Sequence, residues 1–256
     1  MKKTLAFAKR NRKEILRDPL SYIFCLGFPL VMLVVMTLVD ASIPAESGNT
    51  VFHIGNLCAG IAVFGQAFTM LFTALTVSKD RAGSFLVRLY ATPMRSGNFI
   101  AGYLLPMLVI SFAQTALLYL ASWIVSLILG TPISVPGLLL SMLTLLPSAV
   151  LFISIGLLFG TLFSEKAAPG LCSVIISLSS FVGGIWFDPD GAGGILLTVC
   201  RVLPFYYCTR AARAAVRLDF GLSEWALPLL IVVGCAALFA GLSAFAFRSR
   251  MKADLA

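Results

Sequence analysis

The sequence predicts an all-α polytopic membrane protein with six transmembrane helices. It adds an N-terminal amphipathic surface helix, a short cytoplasmic helix between spans two and three, and short external re-entrant helices between spans five and six. Three observations lead there. Of 256 residues, 59% are hydrophobic and 12% charged, and the mean hydropathy is +0.98, whereas soluble domains carry about 25% charged residues. Six stretches reach the ~20 apolar residues needed to cross the hydrocarbon core. The basic residues cluster beside those stretches rather than within them.

In chain order, residues 1–19 come first, with seven of the nineteen Lys and Arg among the first 17 residues. Residues 4–17 read either as a disordered basic tail or as a basic helix on the membrane surface. In the helical reading Leu5, Ala8, Ile15 and Leu16 face lipid, and Lys9, Arg10, Arg12 and Lys13 face phosphate groups and water. Asp18-Pro19 then turns the chain into the first span. The apolar run that follows is of full spanning length with no small-residue cleavage site after it, so the N-terminus is expected to be retained. The spans are expected at Leu20–Val39, Ile54–Val77, Phe99–Leu129, Gly137–Phe163, Ala168–Phe187 and Trp225–Phe247. Turns at GTPISVPG, SEK and DPDGAGG separate the last four. The 188–224 segment is external, with Arg201, Arg210, Arg213 and Arg217; its apolar part, broken by Arg201 and Pro204, is too short to span. A basic tail, 248–256, closes a single transmembrane domain over 1–256.

With six spans, the loops on the side of the termini hold 15 Lys and Arg and the opposite side 4. Both termini are therefore expected in the cytoplasm. A seventh crossing within 188–224 would instead place the basic C-terminus outside. The net charge of +8 follows this topological pattern, so nucleic acid is not the expected partner; the bilayer is. The six cysteines form no C-x-x-C pair. Four lie in spans as small hydrophobes, and Cys200 and Cys208 are near enough in sequence to be bridged or free.

The spans lack Asp, Glu, Lys, Arg and His well inside the membrane, which counts against proton or sodium coupling and against voltage sensing. His53 is the single histidine, so a metal site built on several histidines is excluded. No P-loop and no G-x-S-x-G is present. The interior polar groups are amides and hydroxyls, among them Gln66, Thr69, Thr73 and Gln114. Gly156 and Gly160, with Ala236, Ala240 and Gly241, offer small faces for helix packing.

Residues 78–97, SKDRAGSFLVRLYATPMRSG, stand out as a short basic insert between two greasy spans. Ser84 is placed as an N-cap. Phe85, Leu86 and Leu89 share one face, Arg81, Arg88 and Arg95 another, and Pro93 turns Thr92 out of the helix. Charge alone allows a loop that only enforces topology or a docking element. The run G-S-F-L-V-R-L-Y-A-T-P resembles the motif of type-2 ABC export permeases, which lies after the second of six spans. The N-terminal RNRKEILRDPLSYIFCLGFPL, GGIWFDPD and LPFYYCTRAARAAV resemble the family's surface helix, span-five end and external segment, in that order. Asp80 stands nearest the family's acid, shifted by one residue; Ser84 replaces Thr, and Val87 stands where Glu is frequent.

The resemblance implies a transport subunit, itself no enzyme, that binds no cofactor. ATP and Mg would be handled by a cytoplasmic ABC ATPase subunit, and a second permease copy or paralogue would complete the pathway in the cell (plasma) membrane of a bacterium. It implies ATPase coupling through Asp80, Arg81, Gly83, Ser84, Arg88, Leu89, Thr92 and Pro93, with Arg10, Arg12, Lys13, Glu14 and Arg17 on the surface helix. Export of a drug, lipid, peptide or glycan is the implied activity, with Gln66, Thr69, Thr73 and Gln114 as the candidates for lining the translocation path. Phe68, Phe72, Phe112, Tyr119 and Trp123 would then suit an amphipathic substrate, or pack the bundle. Non-transport membrane proteins, such as assembly or immunity factors, are the rival class, and an ion-coupled transporter a more distant one.

Overall fold

The computed structural model of the chain describes residues 2–15, 17–19, 23–44, 50–83, 85–86 and 96–253. The described residues are mostly helical, with no strand among them. Helix α1 (Lys2–Ile15) lies against the bundle. A π-helical turn, Ile23–Gly27, leads into α2 (Phe28–Ser42). The helices α3 (Ile54–Ala82), α4 (Ser96–Ile128) and α5 (Val135–Leu162) follow, then α6 (Ala168–Val182). Three short helices come next: α7 (Pro189–Ala192), α8 (Gly194–Val202) and α9 (Pro204–Arg217). A second π-helical turn, Leu222–Ala226, opens α10 (Leu227–Ala253).

Five of these helical segments are long and apolar enough to cross a membrane, namely Ile23–Ser42, Ile54–Ala82, Gly97–Ile128, Val135–Leu162 and Leu222–Arg250. The stretch expected as a span from Ala168 to Phe187 forms a helix of only 15 residues, roughly 22 Å at ~1.5 Å per residue against a core of ~30 Å. Its early stop has a local cause. Gly183 donates to Ser179 O at 2.9 Å and Gly184 to Phe181 O at 3.0 Å, and Gly184 then takes φ +65° with Pro189 so close that a Cβ would meet its ring at 2.6 Å. The chain leaves the helix there because only glycine fits that left-handed turn.

α3 is the central helix, buried along nearly its whole length. Lipid tails are as apolar as leucine, so association of such helices rests on close packing and hydrogen bonds rather than on escape from water. The small residues Ala59, Gly60, Ala62, Gly65, Ala67, Thr69, Thr73 and Ala74 let its neighbours come near. α5 supplies the matching face: a Cβ on Gly156 would lie 2.3 Å from Met70 O, and one on Gly160 2.6 Å from Ala74 O. Gln66 adds a polar clamp, donating Nε2 to Leu145 O at 3.1 Å and accepting from Ser148 Oγ at 2.6 Å. In α10, Ala236 is buried while Gly241 faces open space. The six cysteines are free thiols, Cys200 and Cys208 included.

α9 runs beside the first half of α5 in the opposite direction. Val216 O approaches Gly137 so closely that a Cβ there would sit 2.2 Å away. One step further in, Ser141 Oγ donates to Ala212 O at 3.0 Å, and Phe205 stacks on Phe152 at 5.5 Å. The proline end of α9 is therefore deep and its Arg217 end superficial.

Gly156→Ala and Gly160→Ala are each expected to destabilise the chain by about 1–3 kcal/mol, because the added methyl meets backbone that cannot yield. Gly234→Ala, with open space around it, is expected to be neutral or slightly stabilising. Unfolding midpoints in detergent measure the difference.

Candidate functional site

The candidate site is the end of α3, where the last turn carries Asp80 and Arg81. Asp80 is 4% exposed, so its charge needs partners within the protein. Arg10 of α1 supplies a two-pronged contact, Nη1 to Oδ2 at 2.6 Å and Nη2 to Oδ1 at 2.9 Å. Tyr103 of α4 donates its hydroxyl to the same carboxylate at 2.7 Å. Arg10 also pairs with Glu14 at 2.6 Å and lies over the Phe85 ring, 4.1 Å from its centre. Burial pulls the Arg10 guanidinium down, but the hydrogen bond and charge of Asp80 outweigh that, and the net shift is upward.

A second link holds the same helices. Pro106 inside α4 has no N–H to offer, so the carbonyl four residues earlier, at Gly102, loses its helical donor. Asn11 of α1 replaces it, with Nδ2 3.1 Å from Gly102 O. The absence of a side chain at Gly102 admits Phe7, whose ring would be 2.2 Å from a Cβ there. Phe7 also meets Tyr103 at 5.0 Å, Phe99 at 5.7 Å and Phe85 at 6.5 Å. Phe7, Asn11 and Ile15, spaced four apart, thus form the docked stripe of α1.

Arg81 works in the opposite direction, toward α5. Its Nη1 donates to Gly160 O at 3.1 Å, to Phe163 O at 3.3 Å and, still more closely, to Thr161 O. These are carbonyls without helical donors at a helix C-terminus, where a cation is also favoured by the helix dipole. Two adjacent residues therefore tie α3 to three helices: Asp80 to α1 and α4, Arg81 to α5.

The structure corrects part of the expectation for α1. Ala8 and Ile15 pack against protein rather than lipid, while Leu5 is 68% exposed; Leu16 lies outside the described residues. Arg10 is committed to Asp80 instead of facing phosphate, because a buried carboxylate outbids a hydrated headgroup for it. Arg12, Lys13 and Arg17 are exposed. In the 78–97 segment, Gly83 ends α3 with its N–H on Lys79 O at 3.0 Å, and Leu86 is fully buried beside Phe7. Ser84, Arg88, Leu89, Thr92 and Pro93 lie outside the described residues.

The candidate path residues sit among packed helices. Thr69 and Thr73 donate to carbonyls of their own helix, Gln66 O and Thr69 O, both at 2.6 Å. The Gln114 amide is buried against Gly65 and Pro29, without a hydrogen-bond partner among the described residues. Phe68 packs on Phe24, Phe28 and Phe64.

At the opposite end of the bundle lies a polar cleft of about 290 Å³, with Asn56, Asp188, Asp190, Tyr206, Arg210 and Arg213 among its walls. Arg210 pairs with Glu224 at 2.6 Å and Asp190 at 3.5 Å. Arg213 donates Nε to Asn56 O at 3.2 Å; burial, and then the neighbouring Arg217, push its guanidinium down to about 10, still charged at neutral pH. Among the described residues no cluster of three metal-ligating side chains occurs.

Tyr103, Asn11 and Phe7 are site residues that the sequence reading passed over. The legible signal was Pro106, which orphans a carbonyl within a long apolar helix and so calls for a donor from elsewhere.

The sequence model of the family described as ABC-2 type transporter matches residues 2–216. A protein of Bacillus subtilis (strain 168) that carries the name "Putative transport permease YvfS" is 21% identical over 239 residues, covering 93% of this chain and 94% of that protein. The chain belongs to the ABC-2 type transporter family, and is thus a membrane component of an ABC transporter.

Asp80→Asn is expected to cost about 2 kcal/mol of stability, the range for a hydrogen bond to a charged group, whereas Lys13→Gln should cost almost nothing. Asn11→Ala leaves a buried carbonyl unpaired and is expected to cost about 1–2 kcal/mol. In a Pro106→Ala background, which returns an N–H to that carbonyl, most of the Asn11→Ala loss should vanish. A double-mutant cycle on unfolding midpoints detects this coupling.

Proposed function

We propose that this chain is the permease subunit of an ATP-driven exporter, and that α1 with the end of α3 carries the motion of a separate cytoplasmic ATPase into the membrane helices. The observation that carries the reading is the Asp80 junction, where α1, α3 and α4 share one buried carboxylate and Arg81 extends the junction to α5. A push on α1 or on the segment after Gly83 then reaches four helices at once. Family membership supports the partnership with an ABC ATPase, and the basic residues at this end support a cytoplasmic location.

In this reading two permease subunits, identical or paralogous, enclose the path, and ATP with its Mg is bound only by the ATPases. α6 and the turn after it complete a sixth crossing. Glu165, just before α6, lines one groove with Lys79 near the Asp80 end, whereas Ile185 and Trp186, just after it, pack on Gly60 and Phe64 in the other half of α3. α8 and α9 dip into the outer leaflet and climb back, consistent with the depth of Phe205. The apolar bundle suits an amphipathic cargo such as a drug, lipid, peptide or glycan, and the polar outer cleft suits its release into water. This cargo class, the two-subunit assembly and the cell-membrane location with both termini inside are parts of the same proposal.

The test is reconstitution of the chain with its cognate ATPase in vesicles. Arg88→Ala with Leu89→Ala is expected to weaken co-purification of the ATPase by about tenfold or more, as for a central interface pair. Asp80→Asn should leave the complex intact but lower ATP-dependent transport relative to ATP turnover. Undiminished transport per ATP in Asp80→Asn would refute the transmission route.

A further inference from the structure

Beside the Asp80 junction, on the other flank of α1, a groove of about 460 Å³ runs between α1 and α4, lined by Leu5, Ala8, Lys9, Arg12, Leu105, Pro106 and Val109. We infer that it binds one anionic phospholipid, with the phosphate between Lys9 and Arg12 and the start of an acyl chain along Leu105 and Val109.

Three features of the groove select that occupant. First, its two halves differ in chemistry. Lys9 and Arg12 are exposed at one rim, whereas Leu105, 45% exposed, and Val109, 61% exposed, form an open apolar wall. Second, the rim charge is uncompensated: Glu14, the one acid of α1, is engaged by Arg10, and no ion pair to Lys9 or Arg12 occurs among the described residues. Third, the polar-to-apolar order follows the depth of a leaflet. α1 crosses α4 at Gly102, within two turns of the α4 start, and Val109 lies about 10 Å further along the helix at ~1.5 Å per residue. The bases therefore sit at headgroup level and the apolar wall at acyl level. A zwitterionic lipid would bring its own cation against Lys9 and Arg12, so the groove discriminates by charge. A bound lipid would also brace α1 against α4.

The experiment uses the purified full chain in nonionic detergent, titrated with dioleoyl phosphatidylglycerol or dioleoyl phosphatidylcholine and read by native mass spectrometry. One phosphatidylglycerol per chain is expected to be retained in clear preference to phosphatidylcholine. Lys9→Gln with Arg12→Gln should weaken its binding by about thirty-fold at low salt, the effect of two bases near an anionic headgroup. Val109→Trp, which keeps every charge but fills the apolar wall, should also weaken it, and Leu105→Trp provides the same check should Val109→Trp unfold. Lys13→Gln with Arg17→Gln removes equal charge from a neighbouring face and should leave retention close to that of the parent chain. Equal binding of the two lipids, or equal loss from the two charge pairs, would overturn the site, as would full retention with the wall filled. Displacement of the lipid by the cognate ATPase subunit would assign the groove to protein instead, and would likewise overturn it.

Discussion

A single buried carboxylate sets the terms at one end of this protein. Asp80 stands in the last turn of the most enclosed helix, and a carboxylate removed from water must find charge and donors or give up its ionised form. Arg10 and Tyr103 meet that requirement from two other helices. Without α1, Asp80 would keep only the tyrosine among its partners in the described residues, and the carbonyl released by Pro106 would lose the donor found for it there. The surface helix is therefore part of the folded bundle, held by polar groups that the bundle cannot otherwise satisfy.

The two ends of the bundle are built for different tasks. Near Asp80, ion pairs, a proline-released carbonyl and an aromatic cluster of Phe7, Phe85, Phe99 and Tyr103 fix several helices to one another. At the far end the ion pairs of Arg210, Asp190 and Glu224 border a polar cleft. Between them α3 and α5 meet over small residues, and interhelical contact there is backbone against backbone. Such packing is dense and of low compressibility, which suits the proposed transmission of a displacement from the Asp80 end along α3 and α5. The apolar outer faces of α2 and α10 remain available to lipid or to another subunit.

Much of this was legible in the sequence. The five spanning-length helices followed from apolar length, and the Gly156–Gly160 face from its spacing. The α6 helix is shorter than the apolar stretch because hydropathy counts Ile185, Trp186 and Phe187 alike, whereas the backbone turns at Gly183-Gly184 before reaching them. The orientation of α1 was misjudged for a related reason. Amphipathic periodicity gives an apolar stripe but not whether lipid or protein covers it, and here Phe7 and Ile15 found protein. Asp80 could be singled out, but its partner lies 70 residues away, and nothing local distinguishes Arg10 from Lys9, Arg12 or Lys13. Pro106 and Gly102 held the missing clue, since a proline inside a lipid-embedded helix obliges some other group to donate to the carbonyl it frees.

The central claim is that α1 and the end of α3 move as one body because Asp80 joins them. Dipolar spectroscopy between spin labels at Lys13 and Lys79, both exposed, tests it directly in vesicles containing the complex with its ATPase. The inter-label distance should be the same with and without ATP in the parent chain, and should broaden when Asp80 is replaced by Asn. A distance that shifts with ATP while Asp80 is intact would contradict the claim.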